Sequence, residues 1–316
     1  MQNLLKIALA QISPVWLDKK NSLAKVCSAI EEAAREKAEL IVFGEGLVPG
    51  YPFWLAYTNG AGWDLDINKE LHAAYARNAI QIEKGDLEAV RMLAQSHNIA
   101  IYLGIIERPG DRGGHSLYCS LVYIDAKGII QSIHRKLQPT YDERLTWSPG
   151  DGNGLKTHQL KSFTVGGLNC WENWMPLVRA TMYGLGENLH IAVWPGSKHN
   201  TEDITRFIAR ESRSFVVSVS SIMKKEQLPN DTPFRSLLID KMPAILADGG
   251  SCLAGPNGEW ILEPVVGKEG IIYQTIDFNR VFEERQNFDP SGHYSRPDVT
   301  KLSVNRERQA VIDTRN

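Results

Sequence analysis

Cysteine is scarce in this chain, and no two cysteines lie close together in the sequence. The 316 residues contain four, at Cys27, Cys119, Cys170 and Cys252. No Cys-x-x-Cys pair occurs, which argues against a zinc knuckle and against a thioredoxin-type redox motif. The eight histidines also lack the pairwise spacing of metal ligands. We therefore predict a protein of a reducing compartment, the cytoplasm, and we expect no metal site.

An excess of charge of either sign is missing as well. The chain has 35 Lys and Arg against 37 Asp and Glu, which gives a net charge of −2. Surfaces that bind nucleic acid carry a basic excess, so we expect no nucleic-acid partner. With 43% hydrophobic residues the chain is too apolar for intrinsic disorder, and it is long enough to bury a large core without disulfides.

Long apolar runs are absent too. No window approaches the ~18 uninterrupted apolar residues of a membrane helix, so we expect no membrane partner. The N-terminal segment has no basic region and no cleavage site, and it indicates a first strand instead of a signal peptide. The motifs GxSxG and HExxH do not occur. Without repeats, linkers or low-complexity segments, residues 1–316 are predicted to form a single domain.

Strand and helix patterns alternate along the chain. Apolar runs and alternating residues predict strands at 5–11, 39–43, 99–105, 116–125, 129–134, 163–169, 189–194, 214–221, 251–255, 259–264 and 270–276. Helical spacing predicts helices at 21–36, 66–82, after Asp86, 176–186 and 202–213, with Asn21 and Asp86 as candidate N-caps. The early β-α-β-α-β order predicts an α/β protein whose helices cover its sheets. Hairpins, such as the one at Pro256-Asn257-Gly258, predict that the sheets are mixed.

Three polar residues each follow a predicted strand directly: Glu45, Lys136 and Cys170. Ligand sites in α/β proteins favour the ends of strands, so we expect the three side chains to meet. A carboxylate can remove the proton of a thiol. An ammonium group can stabilise the thiolate and then the negative charge on an attacked substrate. Together the three groups would complete the machinery of a nucleophilic enzyme.

Each of these residues also has a structural interpretation. A cysteine in an apolar strand or helix face is usually a small buried hydrophobe, which is how we interpret Cys27, Cys119 and Cys252. Cys170 differs because Asn, Trp and Glu surround it at the end of a strand. A Glu between glycines is often a turn residue, and a single Lys is often solvated. Position alone therefore leaves both interpretations open.

Three segments resemble the signature regions of the nitrilase (carbon–nitrogen hydrolase) superfamily and occur in the family's order: Ile41–Glu45, His134–Tyr141 and Asn169–Pro176. That family uses a Glu–Lys–Cys triad. Cys-Trp-Glu followed by Met-Pro resembles the nitrilase branch more than the amidase branches. The segment Gly292–Asp298 resembles the C-terminal signature of nitrilases, so the resemblance extends from the first strand to about residue 302.

The resemblance implies a four-layer α-β-β-α sandwich with two mixed sheets. It also implies hydrolysis of a small organic nitrile to the carboxylic acid and ammonia, without a metal or an organic cofactor. Cys170 would form a thioimidate and then a thioester, Glu45 would act as the general base, and Lys136 would stabilise charge. The resemblance suggests Glu143 as a second carboxylate that orients Lys136, although from its position it could equally face solvent.

Two expectations about the site follow from these roles. A buried carboxyl beside a thiol should have a raised pKa, whereas Lys136 should lower the pKa of the Cys170 thiol and make Cys170 the fastest cysteine to alkylate. An aromatic substrate pocket is predicted, although large aromatic residues are usually buried in any case. The candidate pocket residues are Tyr51, Trp54, Trp171, Trp174 and Trp194.

Other functions and the assembly state remain as alternatives. The nearest is an amidase or a cyanide or nitrile hydratase of the same superfamily, using the same triad. A second is a scaffold protein without catalytic activity, against which the intact triad argues. The resemblance also implies a homodimer or a higher homo-oligomer. Residues 176–186 and the C-terminal segment 281–316 are the candidate contacts between copies.

Overall fold

Thirteen β-strands and seven α-helices alternate along residues 3–312, which are the residues described by the computed structural model. The strands are β1 (Leu4–Gln11), β2 (Leu40–Phe43), β3 (Ala100–Glu107), β4 (Tyr118–Ile124), β5 (Ile130–Arg135), β6 (His158–Leu160), β7 (Phe163–Asn169), β8 (Leu189–Trp194), β9 (Phe215–Ser220), β10 (Ile222–Lys224), β11 (Ile245–Ala254), β12 (Trp260–Val266) and β13 (Gly270–Asp277). The helices are α1 (Lys19–Arg35), α2 (Asp66–Asn78), α3 (Glu88–His97), α4 (Pro176–Gly184), α5 (Lys198–Ser212), α6 (Arg235–Lys241) and α7 (Asn279–Arg285).

The strands form two mixed sheets. The first has the order β13-β1-β2-β3-β4-β5, with β1, β2 and β3 parallel and the other three antiparallel to their neighbours. The second has the order β10-β11-β9-β8-β7-β6, with β12 paired to β11, and its parallel strands are β7, β8 and β9. The parallel centres explain the long apolar strands, because such strands are buried on both faces.

The two sheets face each other, and helices cover their outer faces. Because side chains alternate along a strand, Leu5 and Ile7 of β1 point to the partner sheet, where the core includes Ile191 and Val217. The outer face of the first sheet packs against α1 and α3. The outer face of the second packs against α4 and α5. The four-layer α-β-β-α sandwich with two mixed sheets is therefore confirmed.

The local predictions were less accurate than the architecture. The short elements β6, β10, α6 and α7 were not predicted, because each is too short to show a clear period. Asn21 is not the cap of α1, since Asp18 accepts the hydrogen bond from the Asn21 N–H at 3.0 Å. Asp86 does not cap α3 either, because its carboxylate accepts from Lys19 Nζ and from the Gln81 N–H.

The segment after α7 packs back against β5 and the loop that follows it. Arg308 donates to the carbonyl oxygen of Ile133 and to Asp151 Oδ1, both at 3.1 Å, and the Gln309 N–H donates to Asp151 Oδ2 at 2.9 Å. Residues 313–316 of the predicted contact segment lie outside the described residues.

In the part of the chain that is described, no helix has both the length and the apolar character needed to cross a bilayer.

Candidate active site

The three predicted catalytic side chains meet between the two sheets. Glu45 follows β2, Lys136 follows β5 and Cys170 follows β7, and none of the three is more than 3% exposed. Glu143 joins them: one carboxylate oxygen each from Glu45 and Glu143 and the Cys170 sulfur lie within 4.8 Å of one another. Glu143 is 1% exposed, so it does not face solvent.

Close contact between backbones places Glu45. Its N–H donates to the carbonyl oxygen of Trp194 in the second sheet at 3.1 Å. On the other side, Gly104 of β3 lies against this turn, and a Cβ at that position would be 2.1 Å from the Gly44 carbonyl oxygen. Only glycine at residue 104 lets the turn approach so closely, which explains why the carboxylate can lie between the sheets.

Lys136 connects the two carboxylates. Its Nζ donates to Glu45 Oε1 and to Glu143 Oε2, at 2.8 Å in both cases. The carboxylates and the thiol are of a chemical type that can hold a metal ion. The ammonium group already supplies the positive charge at the point where such an ion would contact both carboxylates. The arrangement is therefore suited to acid–base and nucleophilic chemistry by side chains.

Glu143 is held by contacts on both of its oxygens. It lies in the one-turn helix Tyr141–Leu145, where Oε2 accepts the Thr140 N–H at 2.6 Å in a capping box. Its Oε1 accepts from the hydroxyl of Tyr51 at 2.8 Å. These bonds fix the carboxylate that faces Lys136, and they place Tyr51 directly beside the four-residue group.

Cys170 lies at a sharp turn between β7 and the short helix Cys170–Trp174. Its backbone is left-handed, with φ of +48°, which is unfavourable for a residue with a side chain. Asn173 holds the turn by donating to the Cys170 carbonyl oxygen at 2.7 Å. The N–H of Trp171 lies near the cysteine sulfur and lowers the pKa of the thiol. The turn thus presents the sulfur to the carboxylates beside a backbone donor.

Glu172 ties the segment carrying the lysine to the segment carrying the cysteine, a role that sequence reasoning missed. One oxygen accepts the Leu137 N–H at 2.6 Å and the other the Asn169 N–H at 2.8 Å, while His134 Nε2 is 3.0 Å away. Burial raises the pKa of Glu172, but His134 and the two backbone donors outweigh burial and lower it. The Asn-x-x-Glu capping-box pattern was the available signal.

Replacing Glu172 with alanine is expected to lower the free energy of unfolding by more than about 2 kcal/mol, because two buried N–H groups and His134 lose their acceptor. Urea denaturation measures this effect. Glu70→Ala, at an exposed position of α2, is the control and should change stability by less than about 0.5 kcal/mol. Equal stability of the two variants would contradict the role of Glu172 in joining the two segments.

Burial dominates the acid–base properties of the site. It raises the pKa of Glu45 to about 7, with Glu143 adding to the rise and Lys136 opposing it. This direction was predicted. The pKa of Cys170 is also raised, because burial and Glu45 outweigh the lowering by Lys136. Lys136 lowers the pKa of the thiol as expected, but the net shift is upward, so the inference of a more ionised Cys170 was wrong and the resting sulfur is a thiol.

The five predicted aromatic residues take different positions. Tyr51 contacts Glu143, and Trp171 and Trp174 follow Cys170 in the sequence with their indoles about half exposed. Trp54 is buried in a cluster with Trp16 and Tyr75, and the Trp194 indole is buried with its N–H donating to Ser218. Trp54 thus lies in a separate part of the core, whereas Trp194 is buried in the same cluster as Cys170 and its carbonyl oxygen accepts the Glu45 N–H.

One cysteine has a contact that the sequence interpretation did not include. Cys119 of β4 is buried, and its sulfur is 3.5 Å from Glu45 Oε1. Its carbonyl oxygen accepts the Lys136 N–H at 2.8 Å, because β4 and β5 form a hairpin. The pairing of these two predicted strands was the signal that could have placed Cys119 beside the lysine. Cys252 is buried away from the group, against Thr205, and Cys27 is partly exposed.

Comparison with known proteins supports one family. The carbon-nitrogen hydrolase family model matches residues 6–286. An aliphatic nitrilase of Rhodococcus rhodochrous is 33% identical over an alignment 326 residues long. The alignment covers 98% of this chain and 80% of the relative. An aliphatic nitrilase of Sinorhizobium fredii (strain HH103) is 33% identical over 310 residues, covering 98% of each chain. An arylacetonitrilase of Macrophomina phaseolina (strain MS6) is 32% identical, covering 98% of this chain and 93% of the relative.

Solved structures support the same fold. A carbon-nitrogen hydrolase from Helicobacter pylori G27 superposes with a TM-score of 0.70 at 20% identity, covering 93% of this chain and 96% of the other. A member of branch 10 of the nitrilase superfamily from Saccharomyces cerevisiae superposes with a TM-score of 0.72 at 19% identity, covering 92% and 97%. From the family match, the full-length relatives and the shared sandwich, we conclude that the chain belongs to the carbon–nitrogen hydrolase family.

Proposed function

We propose that this chain is a nitrilase, which converts an organic nitrile and two water molecules into the carboxylic acid and ammonia. The observation that carries the proposal is the buried Cys170 thiol, which lies within 4.8 Å of the Glu45 and Glu143 carboxylates, with Lys136 between them. The similarity to aliphatic nitrilases and an arylacetonitrilase over nearly the whole chain supports a nitrile as substrate.

In the first step Glu45 takes the proton of the Cys170 thiol, and the sulfur attacks the nitrile carbon. A carbon–sulfur bond forms, one π bond of the nitrile becomes a lone pair on nitrogen, and that nitrogen takes the proton held by Glu45 to give a thioimidate, which leaves Glu45 ionised again. We assign the stabilisation of the charge on nitrogen to Lys136 and the Trp171 N–H, which both lower the pKa of the Cys170 thiol. Because burial keeps the thiol protonated, the base is essential to this step.

Two water molecules complete the reaction. Glu45 activates the first, which adds to the thioimidate carbon, and the resulting tetrahedral species releases ammonia to leave a thioester. The second water attacks the thioester, releases the acid and returns the proton to sulfur. If the first tetrahedral species expels the thiol instead of ammonia, the product is the amide. The acid-to-amide ratio therefore measures how often this species releases ammonia and how often it releases the thiol.

Ammonia release from a substrate panel tests the proposal. The panel contains phenylacetonitrile, mandelonitrile, a dinitrile, acrylonitrile, cyanide and the matching amides. Ammonia from organic nitriles and none from amides is the expected result. Activity on amides alone would instead make the chain an amidase. Amide formed from nitriles or formamide from cyanide, without ammonia, would indicate a hydratase, and no turnover of any member would support the scaffold alternative.

The pH profile is a further expected outcome. Glu45 must be ionised to accept a proton, and burial raises its pKa to about 7. The value of kcat/KM is therefore expected to fall as the pH drops through about 7, by close to tenfold per pH unit well below that midpoint. Initial rates between pH 5 and 9 measure it. A midpoint near 4.5, the ordinary value of a glutamic acid, would contradict Glu45 as the base.

We further propose that the chain forms a homodimer or a higher oligomer in a reducing compartment such as the cytoplasm. All four cysteines are unpaired, which supports such a compartment. Large apolar side chains are exposed on the two predicted contact segments, at Leu177 of α4 and Phe282 of α7. Light scattering should give a mass of at least twice the monomer, and Leu177→Glu with Phe282→Glu should reduce it.

A further inference from the structure

Cys119 has no part in the proposed reaction, yet it lies against the base. Its side chain is 1% exposed, and its sulfur is 3.5 Å from Glu45 Oε1. It lies in β4, between β3 and β5, so the surrounding sheet holds it in place. Burial and the neighbouring Glu45 raise the pKa of this thiol well above its usual value. Cys119 is therefore a protonated donor and a poor nucleophile.

The two oxygens of Glu45 have different surroundings. Oε1 accepts from Lys136 Nζ at 2.8 Å and lies at the Cys119 sulfur. Oε2 is buried and has no hydrogen-bond partner among the described residues. A carboxyl group rotates easily about its last side-chain bond, so donors on one oxygen are needed to hold its orientation. The unpartnered Oε2 keeps its lone pairs available for a proton.

We propose that Cys119 is a positioning residue for the base, holding Glu45 Oε1 through its thiol so that Oε2 receives the Cys170 proton. The inference rests on the proposed function for that last step. The thiol–carboxylate contact does not depend on it.

The charge around Glu45 sets the expected direction of the pH effect. Among the described residues, six titratable groups face Glu45, and each comes from a different segment of the chain. They are Lys136, Glu143, Cys119, Cys170, Tyr51 and Tyr75. Lys136 and the Cys119 bond lower the pKa of Glu45, whereas Glu143 raises it. Removing the thiol donor should therefore raise the pKa of Glu45. A hydroxyl, which is a stronger donor than a thiol, should lower it.

Two substitutions at one position test the inference. The acidic midpoint of kcat/KM should move to higher pH in Cys119→Ala and to lower pH in Cys119→Ser. In Cys119→Ala, kcat should fall about three- to tenfold with KM little changed. The substitution removes a hydrogen bond to the base but no bond to the substrate. A role in packing alone would not move the midpoint in opposite directions.

Cys252 provides the matched control. It is also a buried strand cysteine with its sulfur 3.5 Å from an oxygen, that of Thr205, but it lies outside the active-site group. Cys252→Ala and Cys252→Ser should leave the acidic midpoint unchanged. A midpoint unaltered in both Cys119 variants, or moved in the same direction by both, would overturn the proposal.

An infrared measurement tests the contact without using activity. In a Cys27→Ala, Cys170→Ala, Cys252→Ala variant, Cys119 is the remaining thiol, and its S–H stretch should shift as Glu45 is titrated from pH 5 to 9. Adding Glu45→Gln should abolish the shift. An S–H band that does not respond to pH would refute the contact, whether or not the wild-type protein hydrolyses nitriles. Conversely, a responsive band in this variant together with a wild-type protein that hydrolyses no nitrile would leave the contact intact and refute only the function.

Discussion

Cys170→Ala is expected to lower kcat for nitrile hydrolysis by at least about 10⁴-fold, because no covalent intermediate can form without the sulfur. The substituted side chain is buried and small, so the fold should be retained. Ammonia release and urea denaturation on the same sample separate loss of chemistry from loss of structure. The variant should keep a cooperative unfolding transition while its activity falls to background.

Cys252→Ala is the control for the loss of a buried thiol, since its sulfur contacts Thr205 and no member of the active-site group. It should retain wild-type activity within about threefold, because its thiol contacts none of the proposed reacting groups. Substantial activity in Cys170→Ala would remove Cys170 as the nucleophile. Mass spectrometry after rapid quenching of the wild-type protein should in turn find the acyl group on Cys170.

Lys136→Met is expected to have the largest effect on stability. The substitution leaves Glu45 and Glu143 buried without the ammonium group that lies 2.8 Å from each. Loss of one partner from a buried ion pair costs about 3–5 kcal/mol, and we expect a loss of this size at pH 8. Activity should also be lost, because the charge on the attacked substrate has no counter-ion.

The stability loss should depend on pH in a defined direction. Glu45 already has a pKa of about 7, above its ordinary value, and removal of the lysine raises it further. A carboxyl with a raised pKa in the folded state costs nothing when it is protonated in both states, at low pH. Its cost grows as the pH rises from the unfolded-state pKa to the folded-state pKa and is constant above that, so the deficit relative to the wild type develops above about pH 7. Urea denaturation should therefore show a small deficit at pH 5 and a large one at pH 8.

Two further variants make this test specific. Lys161→Met removes a lysine from a partly exposed pair with Glu39, so it should cost less than about 1 kcal/mol with no comparable pH trend. Combining Lys136→Met with Glu45→Gln should restore part of the stability at pH 8, since one of the buried charges is gone. A deficit independent of pH would show that packing, and not charge, is what Lys136 contributes.

Local sequence patterns were sufficient to predict most of the scaffold. The apolar runs at 39–43 and 163–169 became β2 and β7, because strands buried on both faces require such runs. Element ends were less predictable. Asp18, and not Asn21, caps α1, since the choice between neighbouring polar residues depends on where the preceding chain turns. The shortest strands and helices were missed because they form only through pairing and packing with the rest of the fold.

The sequence by itself determined the family and predicted Glu45, Lys136 and Cys170 as the reactive groups, because the end of each strand can be identified from local pattern and motif. Only the tertiary structure decided that Glu143 lies inside and that Cys119 contacts a glutamate 74 positions away in sequence. It also decided that the pKa of the Cys170 thiol is raised, because burial outweighs the effect of Lys136. Desolvation and long-range contacts depend on which surfaces pack together. The periodicity of a single segment contains no information about the segments that pack against it.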